Sequence, residues 1–189
     1  YQGKIVATGY HQRYGGPHAE RRALVAAQRK LTRTQLQHST LYITLSPCWG
    51  TNKQTPPCTP LIIASGIKQV VVGSVDPHPQ EQLRSVRALR KAGITVTVGV
   101  AQIETDYLIR TFRKWATTKL PFVLAKAGMT IDGRIATLPR QHYITNPQSL
   151  LRVHQLRQEF DALIVGVNTI VRDNPRLTTR LPHQRTVHH

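Results

Sequence analysis

Apolar positions recur with helical spacing between Ala19 and Leu31, where Leu24, Ala27 and Leu31 fall three and four residues apart. This predicts an amphipathic helix. The β-branched and apolar run Thr40–Leu45 predicts a strand. Thr59–Ser65 is a short helical stretch closed by Gly66, and Lys68–Gly73 contains Val70-Val71-Val72, the continuous apolar run of a buried strand. Leu83, Val86 and Leu89 line one face of a helix over Glu81–Ala92, stopped by Gly93, and Ile94–Val100 alternates as a strand. Lys4–Gly9 is a further short β-rich run. Ala101–Thr118 carries Ile103, Tyr107, Leu108, Ile109 and Phe112 and is expected as one long helix. Strands alternating with helices imply an α/β fold with a largely parallel sheet covered by helices.

Lys119-Leu120-Pro121 breaks this pattern, and a second cycle follows. Phe122–Ala127 is expected as a strand and Asp132-Gly133 as a turn. Asn146-Pro147 has the order of a helix cap with proline in the first turn, ahead of a helix over Gln148–Glu159. Ala162–Val167 is expected as a buried strand. The domain boundaries are therefore placed at 1–118 and 121–189. The second part is short, and Leu181–His189 has no strong periodicity, so this domain is expected to be partial.

Composition narrows the function classes. With 40% hydrophobic and 19% charged residues among 189, the chain is expected to fold into a globule. No apolar run approaches the roughly 18–20 residues of a membrane span, and the opening residues have no secretory pattern. The expectation is a cytoplasmic protein without a membrane partner. The 26 Lys and Arg against 9 Asp and Glu give a net charge of +17, which admits nucleic acid as a partner. The excess is spread over both halves with no basic tail, and only 6% of residues are aromatic, leaving few stacking platforms for bases. The balance favours phosphorylated small molecules over nucleic acid.

The two cysteines, Cys48 and Cys58, are ten residues apart. Without a secretory pattern, metal binding or catalysis is favoured over a disulfide. The third ligand is His18, in Pro17-His18-Ala19-Glu20 at the start of a predicted helix. Cys48 follows a strand in Ser46-Pro47-Cys48, and Cys58 closes Thr55-Pro56-Pro57-Cys58 at another helix start. One imidazole and two thiolates leave the fourth position of a tetrahedral zinc open, as catalysis requires. Helix starts lower thiol pKa, which suits both thiolates. Glu20, two residues from His18, can shuttle a proton beside the metal without binding it. This is the pattern of zinc deaminases, in which zinc makes hydroxide available at neutral pH for attack on an amino-bearing ring carbon.

Nucleic-acid deaminases carry a tight P-C-x-x-C, which this chain lacks. Instead, GYHQRYGGPHAERRAL (9–24), TLYITLSPC (40–48), TPPCTPLIIASGIKQVVVGSVDPHP (55–79) and AGITVTVGV (92–100) resemble the deaminase half of the bifunctional riboflavin biosynthesis deaminase–reductase family. That family carries Glu where this chain has Ser46, and a small residue or Cys followed by His where it has Trp49-Gly50. The resemblance continues through PFVLAKAGMTIDGRIA (121–136), YITNP (143–147) and LLRVHQLRQEFDALIVGVNTIVRDNPRLTTR (150–180) into the reductase half.

It implies a cytidine-deaminase-like three-layer domain followed by the start of a dihydrofolate-reductase-like domain. It also implies zinc at His18, Cys48 and Cys58, with Glu20 as the proton carrier. NADPH would be held by Gly128, Tyr143, Thr169 and Asp173, and the ribosyl phosphate of a pyrimidine substrate by Gln141, Arg157, Leu177 and Arg180. The forked guanidinium of Arg157 and Arg180 suits phosphate independently of the resemblance. The family begins with a further helix and strand and continues beyond the position of His189, so the chain is expected to be shortened at both ends. Little or no reduction is then expected from it. Two alternatives remain at this point: a tRNA-acting zinc deaminase, favoured by the charge, and a non-catalytic zinc-stabilised fragment. A homo-oligomer is compatible with all three.

Overall fold

The computed structural model describes residues 1–50, 55–78, 83–135 and 143–182. The chain divides into two compact units, Tyr1–Val123 and Leu124–His189. In the first unit the order is α1 (Ala19–Gln28), α2 (Arg33–Gln37), β1 (Thr40–Leu45), α3 (Cys58–Ser65), β2 (Gln69–Ser74), α4 (Arg84–Lys91), β3 (Thr95–Val98), α5 (Gln102–Leu108) and α6 (Arg110–Thr118). The strands form one parallel sheet in the order β1-β2-β3. The register sets Leu41 beside Val70 and Val70 beside Val96, and likewise Ile43, Val72 and Val98. Side chains alternate across a strand, so these six share one face.

That face meets Leu24 of α1, Ile62 of α3, and Val86 and Leu89 of α4 in a single core. Ile62, Val72 and Leu89 are completely buried, each stabilising by roughly 1.5–3 kcal/mol. The opposite face of β2 packs on α5. A Cβ on Gly73 would lie 2.4 Å from the Thr105 methyl, so only glycine admits this approach. Helices thus cover both faces of the central strand. α3 stops at Gly66, whose φ of +82° is the left-handed conformation of a helix end.

Three expectations are corrected, and one short helix is added. Lys4–Gly9 is not a strand; it runs irregularly beside α1, tied by the Lys30 Nζ bond to the Val6 carbonyl at 2.9 Å. The expected helix over 101–118 divides at Ile109 (φ −99°, ψ 12°), which ends α5 and precedes α6. Thr32 opens a further short helix, α2, through a capping box with Gln35. Its Thr-x-x-Gln signal was legible, but it is too close behind α1 to stand out by periodicity. The third correction concerns residues 122–167. Phe122–Ala127 and Ala162–Val167 are not strands, and Val123 and Ile164 are exposed. A β-rich run becomes a strand only beside another strand, and the sheet among the described residues consists of β1, β2 and β3.

The second unit holds α7 (Pro147–Arg157) and α8 (Val167–Asp173). Asn146 caps α7 by accepting the Ser149 N–H at 2.8 Å, with Pro147 in the first turn. Asp132-Gly133 forms the expected turn, with Gly133 at φ +83° and the Thr130 N–H donating to the Arg134 carbonyl at 2.9 Å. No described helix is long and apolar enough to cross a membrane.

Candidate metal centre

Local chain geometry brings His18, Cys48 and Cys58 together, with all three ligand atoms within 4.8 Å of one another. His18 is the N-cap of α1 in extended conformation (φ −67°, ψ 162°) and its ring makes no capping bond. The ring turns toward the thiols: Nδ1 is 3.5 Å from the Cys48 Sγ and 3.4 Å from the Cys58 Sγ. A tetrahedral zinc with bonds of about 2.3 Å to sulfur and about 2.05 Å to nitrogen would separate those atoms by about 3.6 Å. The three side chains therefore fit such an ion with little rearrangement.

Cys58 is the first residue of α3, and Cys48 leaves the end of β1 and docks on the same helix start. The Cys58 N–H donates to Cys48 Sγ at 3.3 Å, and the Thr59 N–H to the Cys48 carbonyl at 3.1 Å. Two helix starts thus serve the centre, α1 for the imidazole and α3 for both sulfurs. Thr59, fully buried, adds a hydroxyl bond to the same carbonyl at 3.0 Å. Ser46 is buried behind Pro47 and accepts the Asp76 N–H at 2.8 Å, which ties the end of β1 to the loop after β2. On the other side of the cysteine loop, the Arg84 guanidinium lies 5.9 Å from the centre of the Trp49 ring.

Glu20, one helical position beyond Ala19, is buried and within hydrogen-bonding reach of the Cys58 thiol. Burial pushes its carboxyl above the usual range; a backbone hydrogen bond and the His18 charge pull against this, while the Cys48 charge adds to it. The Cys58 thiol is pushed up, first by its hydrogen bond with Cys48, then by burial and the Glu20 charge. These outweigh the helix-start effect expected from the sequence. A divalent cation reverses that balance, because a coordinated thiol gives up its proton to the metal.

Two residues near His18 were not singled out from the sequence. Thr55 Oγ1 lies 3.2 Å from His18 Nε2, and the His11 ring stands edge-on to that of His18 at 5.4 Å between centroids. Thr55 opens the Thr55-Pro56-Pro57-Cys58 run, and His11 lies in the segment before Pro17-His18-Ala19-Glu20. Neither reveals in one dimension which side of the ring it will face.

In the second unit, Arg157 Nη1 donates to the Thr178 carbonyl at 3.0 Å and Arg180 Nη1 to the Thr178 hydroxyl at 2.7 Å. The Arg180 N–H donates to His154 Nδ1 at 3.2 Å. Burial, and then the neighbouring Arg180 charge, lower the pKa of Arg157. Burial followed by the Arg157 and Arg180 charges lower that of His154. Leu177 precedes this cluster with φ +49°. Gly128 packs near Thr145, Tyr143 is largely exposed, and Thr169 and Asp173 are one turn apart on α8. Gln141 lies outside the described residues.

Two family models match the chain: the cytidine and deoxycytidylate deaminase zinc-binding region over residues 1–74, and the RibD C-terminal domain over residues 121–188. The riboflavin biosynthesis protein RibD of Aquifex aeolicus is 44% identical over 180 residues, 95% of this chain and 49% of that protein. The chain is a RibD homologue along nearly its whole length. RibD of Escherichia coli is 38% identical over 94% of the chain and 47% of its own length. The solved Thermotoga maritima diaminohydroxyphosphoribosylaminopyrimidine deaminase/5-amino-6-(5-phosphoribosylamino)uracil reductase superposes with a TM-score of 0.86 at 42% identity, covering 98% of this chain and 52% of that one. RibD of Acinetobacter baumannii gives a TM-score of 0.81 at 31% identity, covering 98% and 50%. The chain therefore spans about half the length of the RibD proteins that it matches.

Proposed function

We propose that the first unit carries the zinc-dependent deaminase chemistry of a riboflavin biosynthesis enzyme, removing ammonia hydrolytically from a diaminopyrimidinone ribosyl phosphate. One observation carries this reading: the His18, Cys48 and Cys58 ligand atoms converge beside buried Glu20. Zinc, when bound, lowers the pKa of water to about 7 and so supplies the nucleophile at neutral pH. His18, Cys48 and Cys58 would hold it. Glu20 would take a proton from the attacking water on its carboxylate and pass it to the ring nitrogen, then take the second proton of that water and pass it to the departing ammonia. Burial favours the protonated form and so helps it to act as the donor.

The second unit would contribute to NADPH-dependent reduction of the ribosyl group. Arg157 and Arg180, brought together on Thr178, repel one another, and a substrate phosphate would relieve that repulsion with charge-assisted bonds. Gly128, Tyr143, Thr169 and Asp173 are assigned to the cofactor, and Leu177 with Gln141 to the substrate. The domain boundary near 118–121 and a cytoplasmic location belong to the same proposal. The partner is a phosphorylated pyrimidine rather than nucleic acid.

The test is ammonia release from the diaminopyrimidinone ribosyl phosphate by the zinc-loaded chain and its Glu20→Gln variant. The variant should retain zinc and lose at least about 10²–10⁴-fold in rate, the usual contribution of a positioned acid–base. Undiminished turnover in Glu20→Gln, or an active chain without metal, would overturn the assignment.

A further inference from the structure

His18 offers its two ring nitrogens to different partners. Nδ1 faces both thiols, at 3.5 and 3.4 Å, while Nε2 faces the Thr55 hydroxyl at 3.2 Å. An imidazole that ligates through Nδ1 carries its proton on Nε2. Nε2–H is then a donor, and Thr55 Oγ1 is an acceptor within hydrogen-bonding distance. We propose that Thr55 is a positioning residue of the metal centre: its hydroxyl accepts the His18 Nε2 proton, fixes the tautomer and the plane of the ring, and aims Nδ1 at the point shared with Cys48 and Cys58. The inference rests on the zinc reading above.

The local sequence makes Thr55 a stiff support. Its β-branched side chain has restricted χ1 freedom. Pro56 and Pro57 follow, each with φ locked by its ring, and Pro57 is observed at φ −61° and ψ 145° as the N-cap of α3. Thr55 is thus held three residues ahead of Cys58 by a segment with few alternative conformations. The bond joins the start of α3, which bears both sulfurs, to the start of α1, which bears the imidazole. Metal-ligating histidines generally pass their second N–H to an oxygen, and loss of that partner typically costs 10–100-fold in metal affinity or activity.

The experiment measures zinc affinity of the 189-residue chain by competition with a chromophoric chelator, for the unsubstituted protein, Thr55→Val and Thr55→Ser. Valine keeps the shape and removes the acceptor; serine restores it. Thr55→Val should bind zinc about 10–100-fold more weakly, with Thr55→Ser near the original value. Equal affinity in Thr55→Val overturns the proposal, whereas absence of zinc binding by the unsubstituted chain overturns the metal reading itself. A measurement independent of the variants is the long-range ¹⁵N–¹H spectrum of the zinc-loaded chain. His18 should show the Nε2–H tautomer with a slowly exchanging, hydrogen-bonded proton. A rapidly exchanging Nε2–H, or the Nδ1–H tautomer, would refute the role of Thr55.

Discussion

Replacing Gly9 with alanine tests whether the segment before Pro17-His18-Ala19-Glu20 sets the position of α1. A Cβ at Gly9 would lie 2.3 Å from the Ala19 carbonyl oxygen and 2.7 Å from the Ala23 nitrogen. Real Cβ contacts essentially never fall under 3.0 Å, so the two backbones must part by about 0.7 Å at Ala19. Neither atom can rotate away, because both belong to the α1 backbone. The segment is also held farther back by the Lys30 bond to the Val6 carbonyl. Ala19 stands between His18 and Glu20, so the displacement falls on the metal centre.

Overpacking of this kind costs about 1–3 kcal/mol. A misplacement of about 1 Å costs roughly 100-fold in rate, so 0.7 Å is expected to cost on the order of tenfold or more. Urea unfolding of the metal-free chain reads the first quantity, and ammonia release by the zinc-loaded chain reads the second. Thr8→Ala, at an exposed neighbour, is the control. If Gly9→Ala unfolds within about 0.5 kcal/mol of the unsubstituted chain and turns over equally fast, the close approach of residues 6–10 to α1 is wrong.

Two further outcomes follow from the core and from the contact between the end of β2 and α5. Ile62→Ala should lower stability by about 2–5 kcal/mol in urea unfolding, because the side chain is fully enclosed between α1, α4 and the sheet. Asp106 accepts the Ser74 hydroxyl at 2.5 Å and pairs with Arg113. The Ser74 hydrogen bond lowers its pKa first; burial opposes this, and Arg113 adds to the lowering. A carboxylate held below its ordinary value stabilises the fold above about pH 4 and loses that contribution as pH falls through its folded pKa. Asp106→Asn should therefore melt at a lower temperature than the unsubstituted chain at pH 7, and the gap should narrow steadily as pH falls below about 4; a gap that stays constant on acidification would show that the carboxylate's charge is not what matters.

How much was legible depends on where each signal originates. Leu24, Leu41, Val70, Val86, Leu89 and Val96 announced their elements because period and burial coincide there. Phe122–Ala127 and Ala162–Val167 have the same apolar, β-branched composition, yet neither forms a strand. Composition reports fitness for a sheet, whereas the partner that makes a strand lies elsewhere in the chain. The break at Ile109 was hidden for a related reason: apolar residues continue through it, and the local backbone geometry alone marks the division. The three candidate ligands were legible because an imidazole and two thiols, each at a strand or helix end, make sense together only around a metal. Thr55 was not, since threonine has no such chemical signature and its relevance comes from lying 3.2 Å from one ring nitrogen.

The electrostatics of the centre give an independent reason to assign it to a cation. Glu20, Cys48 and Cys58 are all buried, and each of the three can carry negative charge. The protein has 26 Lys and Arg side chains, more than enough to neutralise such a cluster. Yet the charges that act on Glu20 are those of Cys48 and His18, and those that act on Cys58 are those of Glu20 and Cys48. The leading charge influences on both groups thus come from within the cluster itself. Burial raises the pKa of both Glu20 and Cys58 and so favours their protonated forms. On the proposed function, a long basic side chain would stabilise the ionised cluster but would crowd the side of Glu20 that a substrate would approach. A small divalent ion would supply twice the charge at a single point, within reach of His18, Cys48 and Cys58, and on the proposed function would leave Glu20 to exchange protons.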